Sequence, residues 1–464
     1  MTFEPFARPK SISEEYKRQY TCEKQSGRLT HNADTDLMPT PAATSDPQTT
    51  TCAIVGGGPA GAVLALLLAR RGVCVHLLEA HRDFERAFRG DSIYPTVLEV
   101  MDSLGLSERL HALPHTRAQT IRVVTEHGPI TIGSFGRLRG RFPYLMIVPQ
   151  SRYLEFVIEE AKRYPNFSLE FGARVEALLE DHGTVRGVRY RQDGVTHELH
   201  ADLTVGCDGR GSRIRALSGL ESGLVSSAPA TDLLWLSVPR QHGATRQEVD
   251  LHVGHGHYLA ILEHAQHWQV GYGIPKGQFQ TVRQAGLGTL RASIAKLAPW
   301  LTGPLEGVTD WSQVQLLSVQ TSYLKRWAKP GLLLIGDAAH TMSPMGGVGI
   351  NLAIQDAVVA ANCITTPLLE HRLRLQDLRA VQRQRDWPVR FTQAWTRILE
   401  MQLAVSMKSP PSRFAILALR SVMGLPVMSH LLTWVIAYGL RPPRVLEPSP
   451  VEVIEPVLNV RVNP

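Results

Sequence analysis

The stretch from Thr51 to Ala80 restricts the fold more than any other part of this 464-residue chain. TCAIVG (51–56) is a short apolar run ending in glycines, PAGAVLALLLARRG (59–72) has helical length and composition, and CVHLLEA (74–80) is a second apolar run. Strand, helix and strand within about thirty residues make a βαβ unit. In its first turn Gly56, Gly58 and Gly61 hold the fixed positions of G-x-G-x-x-G, with Ala60 between the last two. Gly56 allows the tight turn, Gly58 lets the backbone approach a pyrophosphate, and Gly61 permits close helix–strand packing. The helix N-terminus then favours phosphate charge. Glu79 lies 23 residues after Gly56, near the roughly 20 that separate such a turn from a ribose-binding carboxylate. A carboxylate there disfavours a 2′-phosphate, so the turn reads as a site for FAD or NAD and not NADP. The plainer alternative is an ordinary βαβ turn with a surface glutamate.

The remaining segments suggest what this unit belongs to. Helical patterns cover Tyr94–Gly105 and 150–165, and ADLTVGCDG (201–209) reads as a strand before a short helix. Between Thr231 and Pro275 the apolar residues come in strand-length pieces broken by turn residues, the pattern of an antiparallel sheet. GLLLIGDAAH (331–340) returns to a buried strand, followed by a glycine-rich turn and a long helix over 351–364. The fold class is α/β: a Rossmann-like, three-layer ββα nucleotide domain, an inserted mixed or antiparallel sheet domain, and a helical C-terminus. The expected boundaries are an N-terminal extension without ordered structure (1–50), nucleotide-domain pieces at 51–115, 149–228 and 329–388, sheet-domain pieces at 116–148 and 229–328, C-terminal helices over 389–445 and a tail over 446–464.

Three further motifs follow in order: Arg89-Gly90-Asp91, Cys207-Asp208-Gly209, and Gly336-Asp337-Ala338-Ala339-His340 with Pro344 and Gly346-Gly347-Val348-Gly349-Ile350-Asn351 behind it. With the βαβ turn, this set resembles the FAD-dependent, single-component (group A) aromatic hydroxylases typified by p-hydroxybenzoate hydroxylase, over roughly Thr51 to Pro388. The resemblance implies FAD as resident cofactor and NADH or NADPH as transient co-substrate. It also implies O₂ as reactant and hydroxylation of an aromatic or quinol-like small molecule through a flavin C4a-hydroperoxide. Asp337, delivered to a strand end, can accept hydrogen bonds from ribityl hydroxyls; a helix-capping aspartate is compatible with that position as well. The backbone N–H groups of Gly346–Asn351 could stabilise charge on reduced flavin, and Pro344 would stiffen the loop beside the reactive carbon. By the same resemblance Asp208-Gly209 supports pyrophosphate and nicotinamide binding, with a plain strand-to-helix turn as its alternative. Gln150 falls near the ribityl chain. Arg89 could face phosphate or flavin, or be an exposed loop arginine.

Substrate residues are sought in the sheet domain, which should roof the flavin: Tyr258 and Tyr272 as catalytic candidates, with Trp268 beside them, although aromatics on a half-buried sheet often serve as core. Any phenol deprotonation would need a His or Tyr there. His252, His255 and His257 lack a carboxylate or Cys to complete a metal set, and read as a surface cluster. The five scattered cysteines, without a CxxC pair, argue against a disulfide framework or zinc site and for the cytoplasm. A flavin-dependent halogenase is disfavoured, since Val270–Pro275 lacks the tryptophans of its W-x-W-x-I-P segment and residues 81–94 hold no lysine. A reductase of prenyl-type substrates and a non-catalytic FAD-binding ligand carrier stay open.

The net charge is +7, and thirteen basic against six acidic residues from His371 onward account for all of it. Few aromatics and no long Lys/Arg block leave nucleic-acid binding without support. Ser421–Leu440 contains no charged residue and has the length of a membrane span, yet Gly424, Pro426, Ser429 and His430 interrupt it and leave only LLTWVIAYGL (431–440) continuous. This reads as core packing, with peripheral membrane contact through 414–444 or a true span as the alternatives.

Overall fold

A computed structural model describes residues 47–85, 90–227, 229–240, 246–254, 256–408 and 412–446. The expected 1–50 extension and the 446–464 tail therefore lie almost wholly outside the described residues. β1 (Gln48–Val55) begins three residues before the expected start, because Gln48 and Thr49 already pair with Leu199 and His200. Then come α1 (Pro59–Arg70) and β2 (Val75–Glu79). Ala60 to Ala69 of α1 are all buried, as a helix apolar on every side must be, and Pro59 suits the first helical position.

A hairpin of β3 (Thr120–Thr125) and β4 (Gly128–Ser134) precedes α2 (Gln150–Ala161). Next are β5 (Phe167–Phe171), β6 (Arg174–Asp181), β7 (Thr184–Gln192) and β8 (Val195–Gly206). The second domain carries β9 (Thr231–Pro239), β10 (Glu248–Gly254), β11 (His257–Glu263), β12 (His267–Pro275), α3 (Leu287–Leu297) and β13 (Gln315–Leu317). The chain closes with β14 (Leu332–Leu334), α4 (Gly349–Leu369), α5 (Leu375–Lys408), α6 (Arg413–Gly424) and α7 (Pro426–Tyr438).

Strands β14, β8, β1, β2 and β5 lie side by side and parallel, while β7 pairs antiparallel with β8 and with β6. Helices α1, α2 and α4 share one apolar core with this sheet. The second sheet runs β13-β9-β12-β11-β10-β3-β4 and is antiparallel except where β3 lies parallel to β10. It is therefore mixed, and the β3–β4 hairpin joins it from far away in sequence. Its back face packs on α3 through Leu234, Leu259, Val270, Leu290 and Ile294. Its front face carries Leu233, Trp235 and Tyr258, which meet Leu403 of α5.

Two expectations about the C-terminus change. No boundary falls at 388/389, because α5 runs straight through Pro388. Buried Arg385 and Val389 on either side anchor the helix to the first domain and offset the backbone bond that a proline forfeits. Nor is the uncharged run packed wholly into the core: α6 and α7 meet at 81°, broken at Leu425-Pro426, where proline starts the new helix, and Val422, Val427 and Leu431 stay exposed. Only Ile416 of α6 is buried. In α7 the inward residues are Ser429, Thr433, Ala437 and Tyr438, with Thr433 Oγ1 accepting the Ser134 N–H of β4 at 3.0 Å.

Candidate active site

A cavity of about 1350 Å³ lies between the parallel sheet, the front face of the second sheet and the C-terminal helices. One end is built by the β1–α1 turn. Gly56 has φ +102, and a Cβ there would stand 2.6 Å from the Cys207 carbonyl oxygen. Gly61 lies beneath the cavity surface, where a Cβ would come within 2.0 Å of Gly56 O. Gly58 and Ala60 line the cavity itself, and a Cβ on Gly58 would meet nothing closer than Cys207 O at 4.0 Å.

Glu79 also lines the cavity and is nearly inaccessible. Its carboxylate accepts the Gly57 N–H at 2.7 Å and the His81 N–H at 2.9 Å, so it closes the glycine turn from below. Glu79→Ala strands both N–H groups and should cost about 1–3 kcal/mol. Thermal unfolding of the FAD-free protein should show the loss; an unchanged midpoint would mean that the turn does not depend on this carboxylate.

Asp208 and Gly209 follow β8 at the adjacent strand end and line the same cavity. Burial pushes the Asp208 carboxyl up, opposed by hydrogen bonds from the Ser212 hydroxyl and the Ile214 N–H. Gln150, the first residue of α2, also faces the cavity, and its N–H donates to Asp91 Oδ1 at 3.1 Å. Arg89 lies outside the described residues.

A further part of the lining is built after β14. Gly336 (φ +60) is packed against Ala60 and Ala353, below the cavity surface. Asp337 reaches the cavity and lies 3.5 Å from Arg210 Nε. Pro344 and the run Gly346, Gly347, Val348, Gly349, Ile350 and Asn351 line it continuously. Gly346 and Gly347 adopt φ +76 and +63, which glycine does at least cost. Asn351 accepts the Tyr94 N–H at 2.8 Å and donates to Ser92 O at 2.9 Å, fixing the loop to the strand at 92–93.

Of Tyr258, Trp268 and Tyr272, the sheet aromatics singled out in the sequence, only Tyr258 lines the cavity. Its hydroxyl lies 3.2 Å from Thr231 Oγ1, and burial pushes its pKa up to about 12. Tyr272 and Trp268 are corrections. Successive residues of β12 alternate faces, so both side chains join the back-face core with α3. Tyr272 stacks on His257 at 4.8 Å, and Trp268 packs on Trp300 at 5.0 Å. His252 is buried, not on the surface, with its ring 4.0 Å from Asp250. His255 lies outside the described residues.

Two features had no signal in the motifs. The first is a buried network: His340 Nε2 and Arg385 Nε contact the two oxygens of Asp356 at 2.6 and 2.7 Å, and the Gly336 N–H donates to Oδ2 at 3.0 Å. The second is Glu400 of α5, which lines the cavity and accepts the Ser343 hydroxyl beside Pro344. Burial raises its pKa, with Ser343 and Arg397 pulling the other way.

The arrangement suits a long dinucleotide. Open backbone at Gly58 and Gly209 offers room for phosphates, the carboxylates of Glu79 and Asp337 line the cavity, and an apolar sheet wall lines it as well. This is the architecture of an FAD-binding two-domain flavoprotein. The family model for the FAD binding domain matches residues 48–374. The chain is 34% identical over 339 residues to 6-methylpretetramide 4-monooxygenase of Streptomyces rimosus, covering 73% of this chain and 79% of that one. It is 27% identical to a flavin-dependent monooxygenase of Mycobacteroides abscessus, over 66% of this chain and 65% of that longer one. In fold it matches p-nitrophenol 4-monooxygenase PnpA of Pseudomonas putida DLL-E4, with a TM-score of 0.68 at 20% identity over 85% of this chain and 99% of that one.

The chain belongs to the FAD-binding family of flavin-dependent aromatic monooxygenases. It is an FAD-dependent monooxygenase, and NAD(P)H is the reductant that its family uses.

Proposed function

We propose that this enzyme hydroxylates a phenolic compound of several fused rings, held between the front face of the second sheet and the 344–351 loop. The observation that carries this reading is the apolar front wall of Leu233, Trp235, Leu251 and Leu262, which continues without a break into the cavity of the glycine turns. The relative from Streptomyces rimosus, by its name, oxygenates a methylated pretetramide, and supports a ring system of that size class.

In this reading the Gly56–Gly61 turn would hold the FAD pyrophosphate, Glu79 a ribose, and Gln150 and Asp337 the ribityl chain. Asp208-Gly209 backs the pyrophosphate. The N–H groups of 346–351 would hold the flavin ring and could stabilise charge on it when reduced, and Pro344 would keep the loop stiff. Bound there, FAD supplies the electron storage and oxygen activation. The chain's own part is to bind, orient and exclude water, since a dry cavity keeps oxygen chemistry on the substrate. Tyr258, protonated across the physiological range, can donate a hydrogen bond to a ring oxygen. The outer face of α6 and α7 is a peripheral contact surface and not a span.

Tyr258→Phe should lower kcat/KM for hydroxylation about tenfold, the worth of one hydrogen bond, whereas Tyr272→Phe stays within about twofold. The reverse order would place the substrate on the wrong side of the sheet. Turnover of phenols, fused-ring phenols and aromatic polyketides with NADH or NADPH under isotopically labelled O₂ tests the reaction itself. A product carrying one labelled oxygen is expected. If every compound left all the reducing equivalents in H₂O₂, the proposal would fall.

A further inference from the structure

Among the described residues, eighteen large apolar side chains are exposed, and fifteen of them lie between Trp387 and Leu446. They concentrate on α5, α6 and α7. On α7, Val427, Leu431 and Trp434 follow helical spacing along the outer side, opposite the buried Ser429, Thr433 and Ala437. Phe414 and Val427 are the extremes, at 84% and 81% exposure. Contiguous apolar surface of this kind marks a contact site.

Charge says what the contact is. From Met401 to Leu446 the chain has no Asp or Glu, but it has Lys408, Arg413, Arg420, Arg441 and Arg444. None of the four arginines forms an ion pair among the described residues. Arg420 spends its guanidinium on the carbonyls of His127 and Pro129, pinning α6 to the β3–β4 turn. A protein partner or a second copy would have to bring carboxylates to match arginines rimming an apolar face, whereas an anionic lipid surface offers phosphates over hydrocarbon.

We propose that the outer face of α6–α7 docks on the surface of an anionic membrane, with the apolar side chains in the headgroup region and Arg413, Arg441 and Arg444 on lipid phosphates. The opposite faces of the same two helices, including Ile416, Met423, Leu432 and Ile436, line the active-site cavity. Docking therefore sets one wall of that cavity against lipid, which suits a ring compound that partitions into bilayers. The docking itself does not depend on which compound the cavity takes.

The test uses the full-length holoenzyme in co-sedimentation with two kinds of vesicle, phosphatidylcholine alone and phosphatidylcholine mixed with phosphatidylglycerol. Each cation near an anionic surface is worth about fivefold in affinity, so binding to the mixed vesicles should be at least about tenfold tighter and should fall with added salt. The double variant Val427→Asp/Leu431→Asp and, separately, Phe414→Asp should lose binding while keeping FAD content, because these side chains are exposed and do not line the cavity. Absence of binding to the mixed vesicles would overturn the proposal, as would equal binding to both kinds of vesicle. So would concentration-dependent dimerisation without lipid that Phe414→Asp abolishes, because a second copy would then cover the face.

Discussion

Asp356→Ala should remove about 3–5 kcal/mol of stability, the usual cost of taking one partner from a buried ion network. The carboxylate is fully buried, takes both His340 and Arg385 within 2.7 Å, and accepts the Gly336 N–H. Without it Arg385 keeps a buried charge on α5 with nothing to balance it, and Arg385 Nη2 already has no hydrogen-bond partner. The damage should reach function as well, since Gly336 precedes Asp337 and α5 forms a wall of the cavity. Burial alone would raise the Asp356 pKa, but His340 and Arg385 outweigh it and hold the carboxyl below the ordinary carboxylate range. A depressed carboxylate stabilises the fold fully above its unfolded value of about 4 and loses that contribution as pH falls through the lower folded value. Acid unfolding of the wild type should therefore steepen below about pH 4, and Asp356→Asn should flatten that limb. Denaturant unfolding at neutral pH reads the first effect, and an Asp356→Ala protein within about 1 kcal/mol of wild type would contradict the network's role.

Gly61→Ala and Gly58→Ala should differ in kind. A Cβ at 61 meets Gly56 O at 2.0 Å, so the helix must leave the strand, at about 1–3 kcal/mol and occasionally more. The FAD-free protein should be destabilised, and FAD affinity should drop by about ten- to a hundredfold. A Cβ at 58 has room, with its nearest atom 4.0 Å away, but it enters the space that the proposal gives to pyrophosphate. Gly58→Ala should therefore leave the FAD-free midpoint unchanged while weakening FAD. Calorimetry of the FAD-free proteins, with FAD titrated by its fluorescence, separates the two. Unchanged FAD affinity in Gly58→Ala would move the pyrophosphate away from this turn.

What the sequence made legible was local. The βαβ turn is written in adjacent residues, and the glycine-rich loop before α4 carries its own backbone logic. Strand alternation was legible too, but only as two faces without a label. Tyr258 and Tyr272 look alike in sequence, and only the register of β11 on β12, with α3 behind, decides which faces the cavity. Long-range pairing was out of reach for the same reason. Nothing local links Asp356 to Arg385 twenty-nine residues later, or Glu400 to Ser343. The uncharged run at 421–440 gave length and composition, but the 81° bend depends on Leu425 leaving helical geometry before Pro426. Pro388 misled in the opposite direction, since tertiary packing carried α5 through it.

The most direct test of the central claim is anaerobic reduction of the yellow holoenzyme by NADH and by NADPH, alone and with each compound of the phenol and polyketide panel. An aromatic monooxygenase whose cavity joins the flavin site to the ring-binding wall should show flavin reduction accelerated manyfold by a fused-ring phenol, and on admission of O₂ should release that compound hydroxylated. Reduction at one rate whatever ring compound is present, with no hydroxylated product after O₂, would contradict the account.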